Sequence, residues 1–102
     1  MPSTAPQSSF SLAIGDQAPA IDLPGADGQT IRLADLAGRY AVVYFYPKDD
    51  TPGCTVEAKE FRDHASAFAD ANAVIIGISK DSCAAHDKFK AKYGLNFMLA
   101  SD

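Results

Sequence analysis

Ala41-Val42-Val43-Tyr44-Phe45-Tyr46-Pro47-Lys48-Asp49-Asp50-Thr51-Pro52-Gly53-Cys54 passes from strand chemistry to helix chemistry across one short loop. Residues 41–46 are an unbroken run of apolar, β-branched and aromatic side chains, the pattern of a strand buried on both faces. Pro47 has no backbone donor and ends it. Thr51 is a favourable N-cap and Pro52 is favourable at the first helical position. From Cys54 to Ala71 the apolar positions 54, 58, 61, 65 and 68 lie on one face of a single helix, which places Cys54 in its first turn.

Downstream, Val74 to Ser79 reads as a second buried strand, with Gly77 marking a close packing contact. A second helix is predicted from Ser82 to Tyr93. Asp81 or Ser79 caps its start, Lys90 and Lys92 lie near its end, and Gly94 stops it. Asn96 to Ala100 begins a third strand. Strand, helix, strand, helix, strand implies parallel pairing and right-handed crossovers, hence an α/β domain. Upstream, Ile21–Pro24 and Gln29–Leu33 flank Gly25-Ala26-Asp27-Gly28, a turn signal between short antiparallel segments. Leu33 to Leu36 suits one helical turn, stopped by Gly38. Residues 1–14, rich in Ser, Pro and Gln, read as a flexible tail, and residues 15–102 as the domain. The chain stops directly after a strand, so a fragment lacking its C-terminal part is expected.

At 102 residues, of which 47% are hydrophobic, the chain can build one small core and no more. Its net charge is −4 with no basic run, which argues against nucleic acid or an anionic membrane as partner. The apolar runs are too short to span a bilayer. The N-terminus has no basic region followed by an apolar one, so a secretory signal is not expected and a cytoplasmic address is. Cys54 and Cys83 cannot make a disulfide framework. With His64 and His86 they lack metal-ligand spacing, so no metal and no cofactor are expected. Both histidines read as surface residues among polar neighbours. Tyr44, Phe45 and Tyr46 read mainly as core.

A nucleophilic cysteine must ionise near neutral pH, and a free thiol with pKa near 8.5 does so only to a few per cent. A helix start favours the anion through its unpaired N–H groups and dipole. Position 54 also extends the apolar stripe, and periodicity alone leaves an inert buried thiol equally open. A Cys–His hydrolase fails on distance. His64 is ten residues along the same helix, about 15 Å at helical rise.

Pro47-x-x-x-Thr51-x-x-Cys54 resembles the active-site motif of peroxiredoxins. The fuller stretch Phe45-Tyr46-Pro47-Lys48-Asp49-Asp50-Thr51-Pro52-Gly53-Cys54-Thr55-Val56-Glu57 looks like the subfamily called PrxQ or bacterioferritin comigratory protein. Gly15-Asp16-Gln17-Ala18-Pro19 and Gly77-Ile78-Ser79-Lys80-Asp81-Ser82 extend the likeness from residue 15 to residue 102. It implies a thioredoxin-like fold, a central sheet flanked by helices, here incomplete at the C-terminus. It also implies a peroxidatic Cys54 that becomes a sulfenic acid. Thr51 would hydrogen-bond the peroxide and Pro47 would shield the thiolate. Thr55 and Glu57 belong to the subfamily signature without an expected catalytic role.

The arginine that family members place near the peroxidatic sulfur comes from a later strand, and Arg32, Arg39 and Arg62 do not occupy its place. Many subfamily members carry a resolving cysteine five residues after the first, where this chain has Lys59. Another group carries it on the helix after the second strand, where Cys83 lies, although in the first turn rather than near the end. Cys83 is the expected resolving thiol, with His86 one turn away and able to tune it. The implied substrates are hydrogen peroxide and organic hydroperoxides. The implied reductant is of thioredoxin or glutaredoxin type, and a monomer is expected. A one-cysteine peroxidase and a non-enzymatic thiol switch or binding module on the same fold are the alternatives.

Overall fold

Three parallel strands form the frame that positions Cys54. In the computed structural model, which describes residues 13–102, these are β3 (Tyr40–Phe45), β4 (Ala73–Ser79) and β5 (Met98–Ser101), adjacent in that order. All but the last two residues of the expected tail, 1–14, lie outside the described residues. Val42 pairs with Ile75 and Phe45 with Ile78, and Ile76 pairs with Met98 and Ser79 with Ser101. Helices α1 (Pro52–Asp63) and α2 (Ala65–Asp70) connect β3 to β4, and α3 (Cys83–Tyr93) connects β4 to β5.

Both crossovers step the same way along the sheet, and right-handed connections then set both on one face. The core has that arrangement. Phe61, Phe68, Phe89 and Tyr93 from the helices pack with Val42, Tyr44, Ile75 and Leu99. The next residue along each strand points the other way. Val43, Ile76 and Ala100 pack with Ile31, Leu23 and Leu36. That second face is covered by β1 (Asp22–Pro24) and β2 (Thr30–Arg32), antiparallel with Leu23 opposite Ile31, and by a 3-10 turn at Leu33–Leu36. The β1–β2 link contains the expected turn residues, with Asp27 in the left-handed region at φ 61°. Gly77 lies between its partners on the two neighbouring strands, Tyr44 and Leu99, whose side chains leave no room above it. A Cβ there would come within 3.0 Å of the Tyr44 ring and 3.1 Å of Leu99 Cδ2.

Three local expectations are corrected. The single helix over Cys54–Ala71 is two helices, broken at His64 (φ −105°, ψ 8°). The His64 ring nitrogen Nδ1 lies 2.8 Å from the Glu60 carbonyl oxygen, which also accepts the His64 N–H. Side chain and backbone thus share one acceptor at the break. The apolar stripe survives the bend, because Phe61 and Phe68 still meet with ring centroids 6.0 Å apart. Next, the helix after β4 is capped by Ser82, whose Oγ accepts from the Ala85 N–H at 3.1 Å. Ser79 and Asp81 are bonded to each other instead. Finally, the Ala41–Tyr46 run is not buried on both faces. Among the described residues β3 pairs with β4 only, its middle is half-buried, and Phe45 is 72% exposed rather than core.

Candidate active site

Thr51 holds extended backbone angles (φ −87°, ψ 154°) as N-cap, Pro52 is the first helical residue and Cys54 the third. The first helical hydrogen bond runs from the Thr55 N–H to the Thr51 carbonyl, 2.8 Å. The Thr51 side chain does not cap the helix. Its hydroxyl donates to the Lys48 carbonyl at 3.1 Å, closing the loop on itself. Unpaired N–H groups of the first turn attract negative charge. Cys54 is a free, half-buried thiol packed against the helix-side core. Pro47 is exposed at the exit of β3, so Pro47, Thr51 and Cys54 are parts of one strand–loop–helix unit. Thr55, one residue on, is buried with a hydroxyl that has no hydrogen-bond partner.

The loop between β3 and α1 is tied to α3 at several points. Asp49 is buried; its Oδ2 lies 2.7 Å from His86 Nδ1, and its Oδ1 accepts from the Tyr46 hydroxyl at 2.5 Å. The Asp49 N–H donates to Asp81 Oδ2 at 2.7 Å, and the same oxygen accepts from the Ser79 hydroxyl. Asp50, left-handed at φ 58°, accepts from Lys92 Nζ at 2.7 Å and from the Tyr93 hydroxyl at 2.5 Å. Burial works against the Asp81 charge, yet the Ser79 hydroxyl and Asp49 N–H hold its carboxyl below the usual range. Lys92 and Tyr93 hold Asp50 low as well. Burial, then the bond to Asp49, pushes the Tyr46 hydroxyl up.

His86 is therefore not a surface residue. It is wholly buried, with Nδ1 on Asp49 and Nε2 3.0 Å from the Ala100 carbonyl. Burial alone would lower its pKa, but Asp49 and the Ala100 carbonyl raise it above the usual 6.5. Sequence reasoning missed this residue because its neighbours in the chain are polar. The available signal was its place three residues before Phe89 and seven before Tyr93, on the inner stripe of the helix. His64 is exposed, as expected.

Cys83 is the first residue of α3, free and half-buried, with Sγ 3.5 Å from the Ser101 hydroxyl. Its predicted tuning partner, His86, faces Asp49, Ala100 and, at 3.4 Å, the Tyr46 hydroxyl instead. Both cysteines follow the ends of neighbouring parallel strands, so α1 and α3 start along the same sheet edge. The arginines stand elsewhere: Arg62 donates to the Tyr93 carbonyl and pairs with Asp63, while Arg32 lies 3.5 Å from Asp22. Lys59 lies over the Tyr93 ring, 5.2 Å from its centroid. Among the described residues no three His, Cys, Asp or Glu side chains gather as a metal site would require. A groove of about 730 Å³ runs along α1 and α2 from Gly53, next to Cys54, past Phe61 to Phe68.

A cysteine in the first turn of a helix that leaves a parallel strand, on a sheet with its helices packed on one face, is the arrangement of a thioredoxin-like domain, and the loop around Cys54 marks the peroxiredoxin type. Solved structures agree. Xanthomonas campestris peroxiredoxin Q superposes with a TM-score of 0.78 at 45% identity, covering 80% of this chain and 52% of that one. Peroxidoxin BcpB from Mycobacterium tuberculosis gives 0.81 at 39% identity, covering 86% of this chain and 58% of that one. The chain belongs to the AhpC/TSA family, which matches residues 14–102. It is 52% identical over 93 residues to peroxiredoxin Bcp of Bacillus subtilis, covering 91% of this chain and 59% of that protein. The chain thus spans somewhat more than half the length of such relatives.

Proposed function

We propose that the protein is a thiol peroxidase that reduces hydrogen peroxide and organic hydroperoxides at Cys54. The observation that carries this reading is Cys54 in the first turn of α1, directly after the Thr51 cap and the loop from β3. The Cys54 thiolate attacks one peroxide oxygen, the O–O bond breaks, and the alcohol or water leaves after taking a proton. Cys54 becomes a sulfenic acid. Thr51 orients the peroxide through its hydroxyl, and Pro47 limits water at the strand exit. The Cys83 thiol then attacks the sulfenic sulfur, releasing water and forming a Cys54–Cys83 disulfide. A thioredoxin- or glutaredoxin-type dithiol returns both cysteines to thiols.

The resolving role rests on Cys83 being free at a helix start on the same sheet edge as Cys54. Two free thiols suit a reducing compartment, so the working location is proposed as cytoplasmic and the working form as a monomer. Cys54→Ser is expected to abolish peroxide consumption while leaving the fold intact by circular dichroism. Near-wild-type turnover by that variant would remove Cys54 from the mechanism. Stoichiometric oxidation of Cys54 without turnover, in the presence of reductant, would instead identify a thiol switch on this fold.

A further inference from the structure

Asp49 lies five residues before Cys54, and His86 lies three residues after Cys83. Their side chains meet in the interior, 37 positions apart in sequence, at 2.7 Å. The pair does not stand alone. Tyr46 at the end of β3 donates to Asp49, and the His86 Nε2 faces the Ala100 carbonyl on β5. Asp81, which accepts the Asp49 N–H, adds negative charge from the segment between β4 and α3. The groups that face His86 are therefore Asp49 and Tyr46 from the loop side, Asp81 from the β4 exit, and the Ala100 carbonyl from β5. None of them is a cation.

A backbone carbonyl can only accept, so Nε2 must carry a proton. An ionised Asp49 also only accepts, so Nδ1 must carry one too. The site thus suits an imidazolium, whose bond to a carboxylate is of the stronger, charge-assisted kind. Removing one proton leaves a single N–H for two acceptors, so a lone pair then faces either the Asp49 carboxylate at 2.7 Å or the Ala100 carbonyl at 3.0 Å, and the pair with Asp49 loses its charge assistance in both cases.

We propose that His86 is a positioning residue for the chemistry at Cys54. Its charged form holds Asp49, and through Asp49 the loop that carries Thr51 and presents the thiol. Asp49 has Lys48 on one side and Asp50 and Thr51 on the other, and the Thr51 hydroxyl is itself fixed to the Lys48 carbonyl. Release of Asp49 therefore frees the anchor of the peroxide-orienting hydroxyl. Misplacement by about 1 Å near a reacting centre can cost on the order of a hundredfold in rate.

The inference rests on the peroxidase reading, and its test separates the two. The full 102-residue chain is treated with hydrogen peroxide and loss of the Cys54 thiol is followed by mass spectrometry between pH 6 and pH 9. The rate is divided by the thiolate fraction read from absorbance near 240 nm. In parallel the ¹⁵N resonances of His86 are titrated, and Cys54 alkylation by iodoacetamide is timed.

The thiolate-normalised peroxide rate is expected to fall as pH rises, with the midpoint at which His86 loses its proton. His86→Gln, which keeps a donor towards Ala100 but not the charge, is expected to remove this alkaline limb. It should also lower the rate at pH 7 by about tenfold or more. Asp49→Asn should act in the same direction. A flat normalised rate across the His86 titration in the wild-type protein overturns the proposal, whether or not the variants fold. If wild-type Cys54 reacts with peroxide no faster than free cysteine, the peroxidase reading fails instead. The alkylation rate then decides, and its indifference to the His86 titration overturns the positioning role.

Discussion

The Thr51 hydroxyl donates to the Lys48 carbonyl at 3.1 Å and leaves the first turn of α1 without a side-chain cap. Threonine at an N-cap ordinarily satisfies a helix N–H, and replacing it then costs about 1 kcal/mol. Here the hydroxyl stabilises the loop, and the N–H groups around Cys54 keep their capacity for a negative charge.

Stability and rate should therefore separate at this position. Thr51→Ser retains a hydroxyl and is expected to keep most peroxide-reducing activity. Thr51→Val keeps the shape without the donor and is expected to lose about a hundredfold in rate, the scale of one orienting hydrogen bond. Its thermal midpoint should change little. Equal rates for the two variants at equal folding would leave Thr51 a purely structural residue.

Cys83 is held by its contact with Ser101 and by the Ser82 cap on the Ala85 N–H. A disulfide needs Cα atoms roughly 4.4–6.8 Å apart, so the first turn of α3 is expected to open during resolution. One equivalent of peroxide should yield an internal Cys54–Cys83 bond in non-reduced peptides, and Cys83→Ser should accumulate sulfenic or sulfinic acid at Cys54. Ser82→Ala, by removing about 1 kcal/mol of capping, should speed disulfide formation about fivefold. Intermolecular disulfides alone, with Cys83 still open to alkylation, would place the protein in the one-cysteine class.

Stability should fall at both ends of the pH range. The folded pKa of His86 lies above its ordinary 6.5, so its contribution is complete below about that value and is lost as pH rises through the folded pKa. Asp81 lies below its ordinary 3.8, so its contribution is present above that value and is lost as pH falls through the folded one. Urea midpoints recorded from pH 3 to pH 9 should trace this dome, and His86→Gln should flatten the alkaline side. An unchanged midpoint between pH 6 and pH 9 in the wild-type chain would contradict the buried charge pair.

Gly77 offers a test of how the sheet bears on the site. Tyr44 sits over it, stacks on Phe61 with centroids 4.6 Å apart, and packs, as Cys54 does, against the helix-side core. Gly77→Ala is expected to push the Tyr44 ring and cost about 1–3 kcal/mol, the usual scale of overpacking. Calorimetry would read this directly, and a stabilised variant would mean that the ring has room to move.

Much of the frame was legible because it is written locally. Asp27-Gly28 sets a turn, Thr51-Pro52 opens a helix, Gly94 closes one in the left-handed conformation, and β-branched runs make strands. Each of these depends on the conformational preference of a few consecutive residues. The strand–helix alternation then dictated parallel pairing and the edge on which Cys54 and Cys83 emerge. The recognisable loop around Cys54 was legible for the same reason, being one continuous stretch.

What the sequence left open depends on partners far along the chain. Ser82 rather than Asp81 or Ser79 caps α3 because the latter two bond to each other. The exposure of Phe45 was not legible because a run of apolar residues cannot state how many strands will flank it. His86 looked like a solvated histidine, since nothing within a helical turn of it is acidic except Asp87. Its burial was decided by Asp49, 37 residues earlier, and by a carbonyl on β5. A buried charge is tolerated only where the fold delivers its counter-charge, and that delivery is a property of the tertiary structure alone.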